Sequence, residues 1–248
     1  MFTEPFRRVR QKCWDIINRE YPEEKDKYAI TKELVANAVS DGAVILDAGC
    51  GHTSVIPDVS SIRITRIGMD IILEDVRKNK SIDLGLCSNI NHIPLKGNTV
   101  DIIVCNMVFE HLRNPEAAFA EMHRVLKEGG FLVFMTPCVY NVVTVLSILL
   151  PNRLHRKVVS WITTVDENDI FPTFYRANSI GALRKKLGRS NFAEEKLIMY
   201  QPPPYAFVFS TALCKLMIRY YRLINRYRRL ESLRGVIIAR YRKCCQTV

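Results

Sequence analysis

Apolar positions fall in two arrangements along this chain. Some form unbroken runs, such as Val44-Ile45-Leu46, Val100 to Cys105 and Phe131 to Met135. Others recur three and four apart, as Phe6, Val9, Cys13, Ile16 and Ile17 do, and again Ala118, Phe119, Met122, Val125 and Leu126. An unbroken run reads as a strand buried on both faces, and a recurrence near 3.6 as a helix with one buried face. The runs predict strands over residues 44–46, 64–70, 83–87, 100–105, 131–135, 194–200 and 235–241. Two helices are expected within residues 1–40, around a break at Tyr21-Pro22. A longer helix is expected over 115–127, with Pro115 near its start and Gly129-Gly130 stopping it. Phe171 to Arg176 then leads into another helix through Leu187.

The first run ends in Asp47-Ala48-Gly49-Cys50-Gly51, an acid followed by two glycines one residue apart. Glycines at the carboxyl end of a parallel strand let the backbone turn tightly and let a ligand come close. The acid offers its oxygens to a positively charged group. A pyrophosphate asks for the opposite, free backbone N–H groups and no neighbouring acid. A dinucleotide fingerprint would also place a third glycine where Ser54 stands. The plainer alternative is a Gly-rich turn that binds nothing. A second acid, Asp70, closes the second run about twenty residues on, where a carboxylate can take both hydroxyls of a ribose. Its alternative role is to cap the helix that follows.

The D-x-G-x-G pattern at 47–51 resembles motif I of the class I S-adenosylmethionine-dependent methyltransferases. The likeness continues in order and spacing as far as residue 137. Ile93-Pro94-Leu95 resembles the end of the family's D-A-x-x-L-P-F stretch, and Asp101 to Asn106 its fourth strand. Met107-Val108-Phe109-Glu110-His111-Leu112 is similar to its v-l-e-H-l turn, and RVLKEGGFLVFMTP to the approach to its fifth strand. The resemblance implies an α/β fold: a doubly wound, mostly parallel seven-stranded sheet of the Rossmann-like class I methyltransferase kind, carrying helical insertions. It implies S-adenosyl-L-methionine as cofactor, cradled by Asp47, Ala48, Gly49 and Gly51, with Asp70 on the ribose. Asn89 and Ile90 would lie beside the adenine, and Cys105 and Asn106 at the exit of the fourth strand. Asn89 stands where the family has an acid, so its carbonyl oxygen can meet the adenine amino group but brings no charge.

The sulfonium is by itself a strong methyl donor, so the protein has to bind it, align an acceptor and exclude water. No metal cluster or nucleophile triad is needed for that, and the sequence displays none. His111 is the candidate general base for a hydroxyl acceptor, the alternative being a structural histidine at the start of the next helix. Tyr140, His155 and Tyr175 are candidate acceptor contacts.

Two segments depart from the family pattern. Residues 138–172 form an insertion before the sixth strand, where the family roofs its acceptor pocket. Val142 to Leu150 is apolar but too short to cross a bilayer, which needs ~20 residues. Arg153, His155, Arg156, Lys157 and Trp161 follow it. Residues 202–234 separate two strands that the family joins in a tight hairpin. There an apolar stretch with one lysine runs into Arg219, Arg222, Arg226, Arg228, Arg229 and Arg234. Apolar surface beside cations suits an anionic membrane interface. A helical lid and a solvated basic face are the plainer readings.

The 248 residues suffice for a single methyltransferase domain. Within it, 1–40 would be a helical cap, 41–137 the cofactor core, 138–172 a lid and 202–234 an apolar–basic insertion. A net charge of +11 points to an anionic partner. Nucleic acid ranks below a small-molecule or lipid-linked acceptor, because Cys105-Asn106-Met107-Val108 stands where base-amino methyltransferases carry N/D-P-P-Y/F. The eight cysteines are scattered with no C-x-x-C, so neither a zinc cage nor a disulfide framework is suggested. A reducing compartment is expected, cytoplasmic or peripheral on the inner face of a membrane. The amino terminus has no apolar h-region of a signal peptide, and Gln246-Thr247 after Cys245 make a poor prenylation box. The expected activity is methyl transfer to an oxygen of a lipid-linked, glycan or small hydrophobic acceptor. A nicotinamide-dependent oxidoreductase and a non-catalytic S-adenosylmethionine-binding protein are the alternatives.

Overall fold

A computed structural model describes residues 4–22, 26–59, 61–150 and 171–245. The chain divides into two compact units. The larger comprises Lys27–Pro137, Pro172–Ile198 and Ile237–Val248, and the smaller Met1–Asp26, Cys138–Phe171 and Met199–Val236.

The larger unit is built on a seven-stranded sheet. Its strands are β1 (Ala43–Ala48), β2 (Ile64–Asp70), β3 (Leu84–Cys87), β4 (Val100–Asn106), β5 (Leu126–Pro137), β6 (Phe192–Tyr200) and β7 (Val236–Lys243). They lie in the order β3-β2-β1-β4-β5-β7-β6, and β3, β2, β1, β4 and β5 run parallel, each to the next. The centre of the sheet is where the unbroken apolar runs fall. Ile45, Leu46, Ile102, Ile103, Val104 and Phe134 are fully buried. Each such side chain is worth ~1.5–3 kcal/mol relative to exposure. The helices of this unit are α2 (Lys27–Ala36), α3 (Leu73–Lys78), α4 (Pro115–Val125) and α6 (Ile180–Arg189). No helix forms among the described residues between β1 and β2, the irregular stretch around Pro57.

The expected helix at 115–127 ends two residues early, at Val125, and Gly129-Gly130 do not stop it. They lie inside β5, which begins at Leu126 rather than Phe131. Leu126 pairs with Val100, and the register shifts before Ile102 meets Phe131. Gly129 takes φ +75, and a Cβ on Gly130 would stand 2.9 Å from the carbonyl oxygens of both Asp101 and Lys127. The glycines therefore absorb the register shift. Lys127 bonds both carboxylate oxygens of Asp101 (2.9 and 2.8 Å), and Asp101 also accepts from the Val44 N–H at 2.9 Å. That cluster ties β1, β4 and β5 together at the amino end of β4.

The smaller unit is helical. It holds α1 (Glu4–Glu20), α5 (Val142–Leu149) and α7 (Thr211–Arg226), with 3-10 turns at Tyr205–Phe207 and Arg228–Leu233. Cys13 and Ile17 of α1 pack on Val208, Cys214 and Ile218. A second cluster joins Phe207, Met217, Tyr221 and Ile224, with Val142 of α5 against it. Asn141 is 3% exposed and ties the unit together, its amide donating to Gln201 Oε1 (3.2 Å) and Leu233 O (3.0 Å) while its oxygen caps α5 at Val143 N.

Candidate cofactor site at the carboxyl edge of the sheet

From β1 the chain builds outward to β2 and β3 on one side, then returns to place β4 and β5 on the other. The strand order thus reverses between β1 and β4, and in open α/β sheets the ligand crevice lies outside the carboxyl ends of the strands at such a point. The loop after β1 is Gly49-Cys50-Gly51. Gly49 takes φ +84, and a Cβ there would come within 2.4 Å of Val108 Cγ2, in the turn after β4. At Gly51, φ +49, a Cβ would meet nothing within 4 Å. The first glycine is required by backbone shape and by a neighbour, the second by shape beside open space.

All three N–H groups of this loop are engaged. Gly49 and Cys50 donate to Met69 O at 2.7 and 3.1 Å, and Gly51 donates to Asp70 Oδ2 at 2.9 Å. Asn79, 5% exposed, holds the loop from the other side, its amide donating to Cys50 O (3.3 Å) and Gly51 O (3.2 Å). No helix opens after the loop. A pyrophosphate wants free N–H groups at a helix N-terminus, and this loop supplies neither.

Asp47 is 1% exposed. Its Oδ2 accepts from the Ser54 hydroxyl, which itself accepts from Ile56 N at 3.1 Å. Its Oδ1 has no hydrogen-bond partner. Burial pushes the Asp47 carboxyl from 3.8 up to about 6, against the lowering effect of the Ser54 hydroxyl and the Val55 N–H, and the charge of Asp70 adds to the rise. On the neighbouring strand Val104 pairs with Asp47, and two residues on Asn106 Oδ1 is likewise buried without a partner. Two orphaned acceptor atoms at the ends of adjacent strands suit a cationic donor such as the α-ammonium of an amino acid.

A family model described as a methyltransferase domain matches residues 46–134. This segment has the class I methyltransferase fold. An uncharacterised protein of Methanocaldococcus jannaschii is 26% identical over 136 residues, 53% of either chain. The malonyl-[acyl-carrier protein] O-methyltransferase of Yersinia pestis is 35% identical over 100 residues, 38% of this chain and 37% of that one. This chain thus spans about half the length of the first relative and less of the second. Among solved structures, a geranyl diphosphate methyltransferase in complex with GPP and sinefungin superposes with a TM-score of 0.58 at 16% identity. The superposition covers 88% of this chain and 78% of the other, and it establishes the shared fold.

Within the methyltransferase domain the other expected site residues divide. Asp70 sits at the crevice, its second oxygen accepting from Ile72 N at 3.0 Å. It does not cap α3, whose N-cap is Ile72 with no side-chain bond. Asn89 is exposed, and its carbonyl oxygen, the atom expected to meet adenine, accepts from Asn91 N at 2.9 Å in a local turn. Ile90 beside it is buried. Ala48 and Cys105 are wholly buried, and burial drives the Cys105 thiol well above its usual range with Asp47 adding to it, so its side chain belongs to the core.

His111 ends the 3-10 turn Phe109–His111 that follows β4. Its Nδ1 lies 2.9 Å from Pro172 O. A carbonyl only accepts, so Nδ1 carries the hydrogen and Nε2 is the basic nitrogen of the neutral ring. Nε2 stands 3.9 Å from Glu110 Oε1. Glu110, 4% exposed, accepts from the Thr136 hydroxyl at 3.1 Å, and Asn178 Nδ2 donates to that hydroxyl at 2.7 Å. Burial raises the Glu110 carboxyl, with the His111 charge opposing. Phe174 and Tyr175 donate their N–H groups to Glu110 O at 2.7 and 3.2 Å, which brings Tyr175 (φ +51) beside the His111 turn. Tyr140, 56% exposed, belongs to the smaller unit, and His155 lies outside the described residues with Arg153, Arg156, Lys157 and Trp161.

Ser54, Asn79, Glu110, Thr136 and Asn178 went unread in the sequence as parts of this site. Ser54 left a signal there, as a polar residue where a third glycine would stand, and Glu110 another, inside the turn similar to v-l-e-H-l. Among the described residues no cluster of His, Cys, Asp and Glu is arranged to hold a metal ion. A cleft of about 740 Å³ lies elsewhere, by the amino end of β4, with Asn98, His123, Arg189 and Lys243 in its walls.

Proposed function

We propose that this chain is an S-adenosylmethionine-dependent methyltransferase acting on an oxygen of a small-molecule, carrier-borne or lipid-linked acceptor. The observation that carries the reading is the buried, unpartnered Asp47 oxygen beside a glycine loop with no free N–H group. That pair suits a cationic amino-acid tail and disfavours the pyrophosphate of a nicotinamide cofactor. S-adenosylmethionine supplies the electrophilic methyl group when bound. Asp47 Oδ1 and Asn106 Oδ1 would accept from its ammonium, Asp70 would take the ribose hydroxyls, and Asn89 with Ile90 would flank the adenine. His111 Nε2 takes the proton of a hydroxyl acceptor, its ring aimed by the Nδ1–H bond to Pro172 O. Tyr175, beside the His111 turn, is the acceptor contact. An oxygen acceptor is favoured by the Yersinia pestis relative, named an O-methyltransferase, and by a histidine at this turn. The acceptor is brought to the protein at the inner face of a membrane or in free solution.

The test is calorimetric titration with S-adenosylmethionine and, separately, NAD. The wild type takes up the first and not the second. Asp47→Ala weakens uptake by roughly ten- to a hundred-fold, the ~1.5–3 kcal/mol of a hydrogen bond to a charged group. His111→Ala leaves uptake intact and slows label transfer from the methyl group to fractionated cell extract. Unchanged affinity in Asp47→Ala, or preferential uptake of NAD, sinks the proposal.

A further inference from the structure

The smaller unit carries a surface of its own kind. Of the sixteen large apolar side chains exposed among the described residues, twelve belong to its segments. Five are on α5: Val143, Val145, Leu146, Ile148 and Leu149, the last 73% exposed. This helix has no charged residue. Val142 at its start packs against the cluster that includes Met217, Tyr221 and Ile224, on the buried face of α7.

The opposite face of α7 is a mixed stripe. Lys215, Leu216, Arg219, Arg222, Leu223 and Arg226 are all exposed and fall three, four or seven apart, one side of a helix. Leu216 is 57% exposed and Leu223 49%. A helix that faced only water would gain nothing from leucines on its polar side. Tyr227, 49% exposed, then Arg228 and Arg229, continue the stripe. From residue 199 to 236 the chain has seven Lys and Arg against one acid, Glu231. Arg222 pairs with Glu20 of α1, and Arg234 bonds backbone carbonyls. Among the described residues Lys215, Arg219, Arg226, Arg228 and Arg229 have no ion pair.

We propose that the outer face of α7 forms a docking surface for an anionic lipid bilayer. Aliphatic side chains enter the acyl boundary, Tyr227 sits at headgroup level, and the arginines meet lipid phosphates and carboxylates. The mode is contact with one leaflet, since no helix among the described residues is long and apolar enough to cross a membrane. Charge decides among occupants. A second copy of the chain would set the same cations face to face, and a nucleic acid would leave Leu216 and Leu223 unused. The inference does not depend on the transfer reaction, and its test needs neither cofactor nor acceptor.

The test is co-sedimentation of the full chain with vesicles of phosphatidylcholine alone and of phosphatidylcholine with 30% phosphatidylserine, at low salt. Binding is expected to the second and not the first, falling at least ten-fold at 0.5 M NaCl as the charges are screened. Leu216→Glu with Leu223→Glu, and separately Arg219→Glu with Arg226→Glu, are expected to abolish it with the circular dichroism spectrum and melting temperature unchanged. Equal binding to both vesicles, or to neither, overturns the inference. So does full binding by both pairs of variants, or a dimer on gel filtration that the same substitutions dissociate.

Discussion

Asp47 holds a charge that the protein compensates on one oxygen only. Its carboxyl titrates at about 6 in the fold and near 3.8 as an ordinary aspartate, so between those values the folded chain keeps a proton that the unfolded chain has lost. Stability therefore falls as pH rises through that window, by on the order of 3 kcal/mol once fully deprotonated. Asp47→Asn is expected to remove that cost and, under the proposed function, cofactor uptake with it. In urea the apo variant is expected to outlast the wild type at pH 7.5, the two drawing together at pH 5 where the wild-type carboxyl is protonated. Saturating S-adenosylmethionine should stabilise the wild type alone. A wild type more stable than the variant at both pH values would contradict this account. Asp47 was legible in the sequence because it ends an apolar run beside glycines. Ser54, which engages one of its oxygens, was noticed only as a missing glycine. Asn79 was not legible, because its bonds to Cys50 O and Gly51 O join residues far apart in the chain and leave no periodic trace.

At the level of elements, unbroken runs were a faithful guide to strands, since β1 and β4 are buried on both faces. The stretch Leu126 to Gly130 misled, because a helical face followed by two glycines is also how helices end. What decides it is the partner strand: Leu126 pairs with Val100, and no local pattern announces that. Gly130→Ala is expected to lower the melting temperature by roughly 3–10 °C, from ~1–3 kcal/mol of backbone displacement against Asp101 O and Lys127 O. Gly188→Ala in α6, where a Cβ would meet nothing within 4 Å, should leave it unchanged or raise it by gaining helix propensity. Equal melting temperatures for Gly130→Ala and wild type would show that β5 yields freely.

Across the whole molecule, the segment that matches the methyltransferase family model depends on chain from beyond it. The chain passes between its two units five times, at 26, 137, 171, 198 and 236. The strand beside β5 is β7, from the far end of the sequence. Tyr241 of β7 stacks on Phe134 at 5.8 Å, and Lys243 donates to Asn98 Oδ1 and Leu126 O at 2.8 Å each. A chain ending at Pro137 would expose the edge of β5 and its apolar face. It is expected to elute in the void volume of a gel-filtration column, whereas the full chain elutes as a defined species. A cooperative melt from the shortened chain would overturn this. The resemblance legible between 44 and 137 covers five strands of the sheet, which is completed by residues with no family signature.

The bonds that fix Gly49, Cys50 and Gly51 to the end of β2 are all made within the protein. Deuterium is therefore expected to enter these three amides slowly, and cofactor should have little left to protect there. Occupancy would be recorded instead by the carboxyl carbon resonance of Asp47, the atom group whose surroundings have most to change.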